Sequence, residues 1–385
     1  GLFLAVPMIT GIVFGESALI SYLISMGICF LFGALLVLKK PRKKQLFSRE
    51  GYVIVALSWI VLSSFGALPF VISGEIPTYI DALFETGSGF TTTGASILDD
   101  VEKLSHASLM WRSFTHWVGG MGVLVFIMAF IQLSGAQNMH IMKAESPGPS
   151  VSKLVPRVKT TAMILYSIYF VLTLIEFILL LFGGMTVFEA LNTVFATAGT
   201  GGFGFYNSSM GDFSPYIQIV ITVFMLLFSI NFNCYYLLLC GKIREVFNLE
   251  LRTFLIIVVS AITVITINIS QMFSSVWEAL RYSAFTVASL ISTTGFSTTD
   301  FNLWPELSRT LLVIIMFIGA CAGSTGGGIK VSRIVILFKS IQKELDVIAH
   351  PHNVKKLKMD GRMIEHSVLR SVNVFIVSYV MFFAV

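Results

Sequence analysis

The sequence predicts an all-α membrane protein built from repeated helix–pore-loop–helix units, and three observations lead there. Of its 385 residues 55% are hydrophobic and 12% charged, against roughly 25% charged in an ordinary soluble domain. Apolar runs of about 20 residues, long enough to cross a bilayer as helix, recur from end to end. Between them, three times, a shorter apolar stretch ends in a cluster of threonine and glycine. A soluble fold is excluded, because one aqueous core stops growing near ~250–300 residues and the charges to cover several cores are missing.

Taken in order, the apolar runs place spans near 18–38, 53–72, 111–133, 160–182, 216–240, 253–270, 309–341 (interrupted) and 367–385, with a partial one at 2–14. The run at 18–38 is too long for a signal-peptide core and is followed by charge, not by a small-residue cleavage site. Loop charge orients the spans. Lys39, Lys40, Arg42, Lys43, Lys44 and Arg49 form one basic loop, and Lys143, Lys153, Arg157 and Lys159 a second. Lys242, Arg244 and Arg252 form a third, and the stretch from Lys339 to Arg362 a fourth. Such loops stay cytoplasmic. The alternate loops, with Glu75, Asp99, Asp100, Glu102, Asp212, Asp300 and Glu306, fall outside by the same parity. The net charge of +5 thus sits in particular loops and not along a solvated face, which excludes a nucleic-acid partner. Cys29, Cys234, Cys240 and Cys321 lie in or beside apolar runs without metal-type spacing, as buried thiols do.

The external loops carry the repeat. Each holds an apolar stretch of roughly 10–12 residues, too short to span and so re-entrant. They read Asp81-Ala-Leu-Phe-Glu-Thr-Gly-Ser-Gly-Phe-Thr-Thr-Thr-Gly94, Glu189-Ala-Leu-Asn-Thr-Val-Phe-Ala-Thr-Ala-Gly-Thr-Gly-Gly202 and Tyr282-Ser-Ala-Phe-Thr-Val-Ala-Ser-Leu-Ile-Ser-Thr-Thr-Gly295. Gly94 and Gly202 are 108 positions apart, Gly202 and Gly295 93 apart, which marks an internal repeat. Non-helical backbone at membrane depth must be enclosed in protein or line a watery cavity. Glycine accepts positive φ, so successive carbonyls turn toward one axis, where a ring of them replaces the hydration shell of a cation. A short helix before the turn aims its negative end at the same point, and Asp81 and Glu189 suit its positive end. No carboxylate falls within the Thr/Gly clusters, so the expected ion is monovalent and held by carbonyl dipoles.

The seventh span is broken by Gly323-Ser-Thr-Gly-Gly-Gly328, five small residues and a threonine where the helix crosses mid-membrane. A flexible gate below the filter fits this. A nucleotide P-loop fails on spacing, since Ile329 precedes Lys330 and Val331 follows it. Among other polar residues, Glu176 lies mid-span and reads as a helix-pairing or ion-path residue, pairing being favoured. Asn231 and Asn233 read as interhelical bridges or pore lining, and Gly119, Gly120 and Gly122 as points of close helix approach. His350 and His352 lack an acidic third ligand and are not read as a metal site.

Several stretches together resemble the superfamily of K+ transporters that includes Trk, Ktr and HKT proteins, and most specifically its Trk-type transmembrane subunit. They are Ser48-Arg-Glu-Gly51, Gly66-Ala-Leu-Pro-Phe70, Thr91-Thr-Thr-Gly-Ala95, Trp117-Val-Gly-Gly-Met-Gly122, Ala144-Glu-Ser-Pro-Gly-Pro149, Gly201-Gly-Phe203, Thr293-Thr-Gly-Phe296 and Cys321-Ala-Gly-Ser-Thr-Gly-Gly-Gly328. The resemblance implies two leading helices and four helix–pore-loop–helix repeats around one pseudo-fourfold, K+ channel-like pore in a bacterial inner membrane. It also implies a homodimer and control by a cytosolic nucleotide-binding TrkA-type subunit, with no cofactor in this chain and K+ as the transported ligand. Carried over by position, the filter falls on Thr92, Thr93 and Gly94, on Thr200, Gly201 and Gly202, and on Thr293, Thr294 and Gly295. The gate falls on Gly323, Ser324, Thr325, Gly326, Gly327 and Gly328, and Lys330 beside it is read as opposing the cation when the loop is closed. The second cluster departs from the Thr-Thr-Gly form, which bears on its side chains more than on its carbonyls.

The expected organisation is then 1–50 for the leading helices and basic loop, 51–135 for pore repeat one, and 136–245 for a linker and repeat two. Repeat three with the gating loop occupies 246–345, and 346–385 holds a cytoplasmic loop and the first helix of an incomplete fourth repeat. Because Gly1 and Val385 both lie inside apolar runs, both ends are expected to be cuts, in a whole chain of about 480 residues. With a fourth filter segment expected elsewhere, these residues alone are not expected to conduct selectively. A Na+-coupled or Na+-permeable Ktr- or HKT-type transporter is the alternative within transport, and a non-transporting membrane receptor or scaffold the alternative outside it. An enzyme is not expected, since no Ser/His or His/Asp/Glu set converges within the spans.

Overall fold

The computed structural model describes residues 1–38, 48–120, 122, 158–350 and 357–384. The Ala144 to Pro149 motif, Met121, His352 and most of the first two basic loops therefore lie outside the described residues. Two leading helices, α1 (Ala5–Phe14) and α2 (Leu19–Leu38), precede a first unit of α3 (Ser48–Gly66), α4 (Leu68–Ser73), α5 (Tyr79–Phe90) and α6 (His106–Gly120). A second unit follows: α7 (Val158–Phe182), α8 (Val187–Ala198), α9 (Pro215–Phe228) and α10 (Phe232–Leu239). After the short α11 (Ile243–Val246), the third has α12 (Leu249–Ile269), α13 (Val276–Ser292), α14 (Glu306–Ile318) and α15 (Val331–Ala349). A two-stranded hairpin, Lys358–Met359 with Arg362–Met363, leads into α16 (His366–Ala384).

The protein is a multi-pass membrane protein. Leu19–Leu38, Val53–Ser73, Ala162–Phe182, Leu249–Met272 and His366–Ala384 are each long and apolar enough to cross a bilayer. Their outer faces are apolar and uncovered, with Leu38, Phe182, Ile267 and Phe382 exposed, which is stable only where the surrounding solvent is lipid. Three buried cores follow the three units, the second extending into its neighbours. Trp111 and Phe90 centre the first, Tyr169 and Phe228 the second, which Phe285 of α13 also joins, and Phe254 and Ile291 the third.

The re-entrant segments are helices, as the apolar stretches predict. α5 and α8 are 12 residues long and α13 is 17, so the third begins at Val276, well before the expected Tyr282. Their starts are held electrostatically. Asp81 and Glu278 lie in the first turns of α5 and α13, and Thr186 and Glu189 form a reciprocal capping box on α8.

Four expectations need correction. The span expected at 216–240 is not continuous, because α9 and α10 meet at 89° around Ser229 to Asn231. Asn231, expected to bridge helices, caps α10 by accepting from the Asn233 amide at 2.9 Å. The break in the seventh span is also wider than Gly323 to Gly328, since α14 ends at Ile318 and α15 starts at Val331. Glu176, read as a pairing residue, is buried in α7 with no hydrogen-bond partner for either carboxylate oxygen among the described residues.

The first unit is closed by a close approach at Gly66, whose carbonyl accepts from Trp111 Nε1 at 2.9 Å. A Cβ there would stand 2.6 Å from Thr86 Cγ2 and 3.0 Å from Phe90 Cε2. Gly66→Val should therefore lower the thermal unfolding midpoint in detergent, with an overpacking cost of ~1–3 kcal/mol. Gly27→Val, where a Cβ meets nothing within 4 Å, should leave it unchanged.

Candidate functional site

The three short helices end in one shared backbone device. At the end of α5, the Thr92 amide donates to Gly89 O at 3.1 Å and the Thr93 amide to Ser88 O at 2.9 Å. At the end of α8, Thr200 donates to Thr197 O at 2.9 Å and Gly201 to Ala196 O at 3.0 Å. At the end of α13, Thr293 donates to Leu290 O at 3.1 Å and Thr294 to Ser289 O at 2.9 Å. This paired closure is the Schellman motif, which needs a left-handed residue and normally uses glycine for it. Here the residue is threonine each time, with φ of 53° at Thr92, 52° at Thr200 and 61° at Thr293. Two positions later comes a second left-handed residue, Gly94 (φ 75°), Gly202 (φ 78°) and Gly295 (φ 87°). Two left-handed residues flanking one of ordinary φ turn the backbone sharply at the same place in each segment, a conformation in which carbonyls can be directed to one side, as a carbonyl-lined ion path requires.

The three clusters meet at Gly94, Gly201, Gly202 and Thr294. A Cβ on Gly94 would overlap the Gly201 carbonyl oxygen and lie 3.8 Å from Thr294 O, and a Cβ on Gly202 would overlap Thr294 O. The first two segments thus press their glycines against a carbonyl of the next, while Gly295 has open space beside it. The departure of the second cluster from Thr-Thr-Gly costs no geometry, because Thr200 occupies the left-handed position and Gly201 replaces only the middle residue. Above this point polar loops tie the units. Asn207 donates to Glu102 and Asp100 and accepts from the Val101 amide, while the Met210 amide donates to Ser297 O at 2.9 Å.

Sequence reasoning missed the supports behind the segments. Arg112 is buried in α6, and its Nε donates to Glu85 Oε1 of α5 at 2.7 Å while Nη1 donates to Gly204 O at 3.0 Å. Its guanidinium also lies 4.2 Å over the Phe203 ring. Glu85 accepts from Ser96 Oγ and the Ile97 amide, so one buried ion pair holds the strands leaving both the first and the second cluster. One turn on, His116 is fully buried between Gly89 and Phe203. Gly119 and Gly120, expected at close approaches, lie against Phe90 O and Gly199, and a Cβ on Gly120 would stand 2.6 Å from Gly199 Cα. The available signal was the spacing of Arg112, His116 and Gly119/Gly120, one helix face at i, i+4 and i+7/i+8.

The expected gate lies against the start of the third cluster. The Gly327 amide donates to Thr293 Oγ1 at 2.7 Å, and a Cβ on Gly326 would stand 2.8 Å from Ser292 O. The loop from Gly319 to Lys330 is held on its other side by the bend between α9 and α10. Cys321 N donates to Ser229 O at 3.0 Å, Phe232 N to Gly323 O at 2.9 Å, and Thr325 Oγ1 to Phe228 O at 3.1 Å. Glu250 of α12 accepts from the Ala322 amide at 2.7 Å. Lys330 is buried, and its ammonium donates to Gly326 O across the loop. The two ends of the loop are backbone outliers. Gly319 has φ 70° and ψ −160°, a region open to glycine alone, and Lys330 has φ 83° and ψ 133°.

The family described as TrkH, cation transport protein, matches residues 20–385. The Trk system potassium uptake protein TrkH of Escherichia coli K12 is 39% identical over 354 residues, covering 90% of this chain and 73% of that protein. The Trk system potassium uptake protein TrkG of the same strain is 33% identical over 383 residues, covering 98% and 79%. The crystal structure of the potassium transporter TrkH from Vibrio parahaemolyticus superposes with a TM-score of 0.89 at 32% identity, over 100% of this chain and 81% of that one.

The buried Arg112–Glu85 pair is open to a direct test of its energetics. Arg112→Met strands a desolvated carboxylate and should destabilise the protein by ~3–5 kcal/mol, read as a fall in the unfolding midpoint or in folded yield. Adding Glu85→Met removes the stranded charge and should recover most of that loss.

Proposed function

Because the chain belongs to the TrkH family of cation transport proteins, we propose that it takes up potassium ions across the bacterial plasma (inner) membrane. In this reading Thr92, Thr93 and Gly94, Thr200, Gly201 and Gly202, and Thr293, Thr294 and Gly295 are filter segments. Their carbonyls replace the water around a dehydrated K+. The observation that carries this is the threefold recurrence of left-handed threonine, ordinary residue and left-handed glycine at the ends of three short helices. The C-terminal ends of α5, α8 and α13 run into those turns, so each adds the negative end of its dipole at the place where the cation loses solvent.

Gly323 to Gly328 act as the gate. Support comes from the seat of the loop, where Gly326 and Gly327 lie directly on Ser292 and Thr293. With the loop in place, the Lys330 ammonium is tied to Gly326 O and puts a positive charge beside the path, opposing entry of a cation. Basic loops on the cytoplasmic side, a homodimer and a cytosolic nucleotide-binding TrkA-type regulator complete the proposal. The last two rest on the family resemblance.

The filter is tested by growth of a K+-uptake-deficient strain on low potassium and by competition among K+, Rb+ and Na+, with the intact protein. Gly202→Ala puts a methyl group into the Thr294 carbonyl and should abolish growth or K+ preference. Uptake that favours Na+ over K+ in the unaltered protein would establish the Ktr- or HKT-type alternative. For the gate, Gly327→Ala places a methyl 2.9 Å from Thr293 Oγ1 and should unseat the loop, raising uptake in the absence of the regulator. Lys330→Ala should do the same, and unchanged gating and conductance in that variant would remove the charge from the mechanism.

A further inference from the structure

His116 touches two filter segments at once. Its Nδ1 lies 2.8 Å from Gly89 O, the carbonyl on the last turn of α5 that also accepts from the Thr92 amide. Its Nε2 lies 3.2 Å from the amide nitrogen of Phe203, which directly follows Gly202. Both partners have only one role open to them. A carbonyl accepts, so Nδ1 carries the proton; an amide donates, so Nε2 presents its lone pair. The ring is thereby fixed as a neutral imidazole of one tautomer.

The room around the ring is equally determined. A Cβ on Gly201 would fall onto the imidazole itself, at Nδ1, Cγ and Cε1, and one on Gly199 would fall onto the His116 carbonyl oxygen and lie 2.5 Å from its carbon. The Phe203 ring packs on the imidazole at 4.3 Å. His116 therefore fills the whole space between the base of the first segment and the backbone of the second, with a hydrogen bond at each end. A planar five-membered ring of fixed width sets that separation more stiffly than two flexible chains in van der Waals contact.

We propose that His116 is a specificity-determining positioning residue: its imidazole is the spacer that sets the distance between the Thr92–Gly94 and Thr200–Gly202 carbonyls, and with it the size of ion they accept. The inference rests on the conduction reading and adds to it a residue outside the filter itself. K+ and Na+ differ by a few tenths of an ångström in radius, so an unheld segment loses the distinction between them while the pore still conducts. A residue that merely stabilises the fold would change how much ion is moved, not the ratio of ions.

The experiment uses the intact protein, purified and reconstituted in liposomes, with K+, Rb+ and Na+ flux measured side by side. His116→Phe keeps a planar ring and removes both hydrogen bonds. It should reduce the K+/Na+ ratio about tenfold, equivalent to ~1.4 kcal/mol of lost discrimination. His116→Gln carries one donor and one acceptor, and should lie closer to the unaltered protein than His116→Phe. If the Phe variant does not fold, His116→Gln and His116→Asn are compared instead. Asn keeps the short-range donor toward Gly89 O and gives up the acceptor toward Phe203, so its ratio should be the lower of the two. Folded variants with the ion ratios of the unaltered protein would overturn the proposal, even if total flux fell. Absence of K+ flux through the unaltered protein would instead count against the conduction reading itself.

Discussion

Three short helices that end before a full span leave their last carbonyls without the amides of a following turn, and the rest of the molecule is arranged around that constraint. Each end is closed by the same pair of amide donors, and the closure forces a side-chain-bearing residue into the left-handed region. A β-branched residue with φ near 50–60° costs on the order of 1–3 kcal/mol, and it persists only where the surroundings hold it. Thr200 shows how: it is fully buried, and its hydroxyl is spent on the adjacent Gly199 carbonyl at 2.7 Å. Thr293 does the same toward Ser292 O at 2.6 Å.

What holds the first two turns is mostly one face of α6. Arg112, His116 and the Gly119–Gly120 pair succeed one another along that face and reach both sides of the seam between the first two clusters, Arg112 through the Glu85 carboxylate and the Gly204 carbonyl, the others through backbone on both sides. The sequence of contacts is graded in chemistry. A charge is used farthest from the clusters, where Glu85 neutralises it; a neutral ring comes next; bare glycine is placed where backbones touch. That order follows from desolvation, since a buried charge demands a partner and a glycine demands only space.

The spans, the three short helices and the Thr/Gly clusters were legible because each is a matter of length, apolarity and repetition. Three other features were not. Thr92, Thr200 and Thr293 gave no sign of left-handed backbone, since threonine disfavours it in isolation and only the helix closure imposes it. The bend at Ser229 to Asn231 lies inside an apolar run, and Asn231 alone marked it. The loop begins at Gly319, hidden because Ala320, Cys321 and Ala322 read as ordinary span residues. Arg112 and His116 were overlooked for a related reason. Polar residues in a span are legible as costly, but what compensates them lies on other helices and loops, distant in sequence.

The bend and the loop have a joint consequence. They satisfy one another's backbone: Ser229 and Phe228 accept from the loop, and Gly323 accepts from α10. Neither partner can leave without orphaning groups on both, and in a lipid surround no solvent stands ready to replace them. Movement of the loop is thus inseparable from wetting. A loop displaced from this seat would need water at every parted bond together, so bend and loop would be released jointly and not one bond at a time.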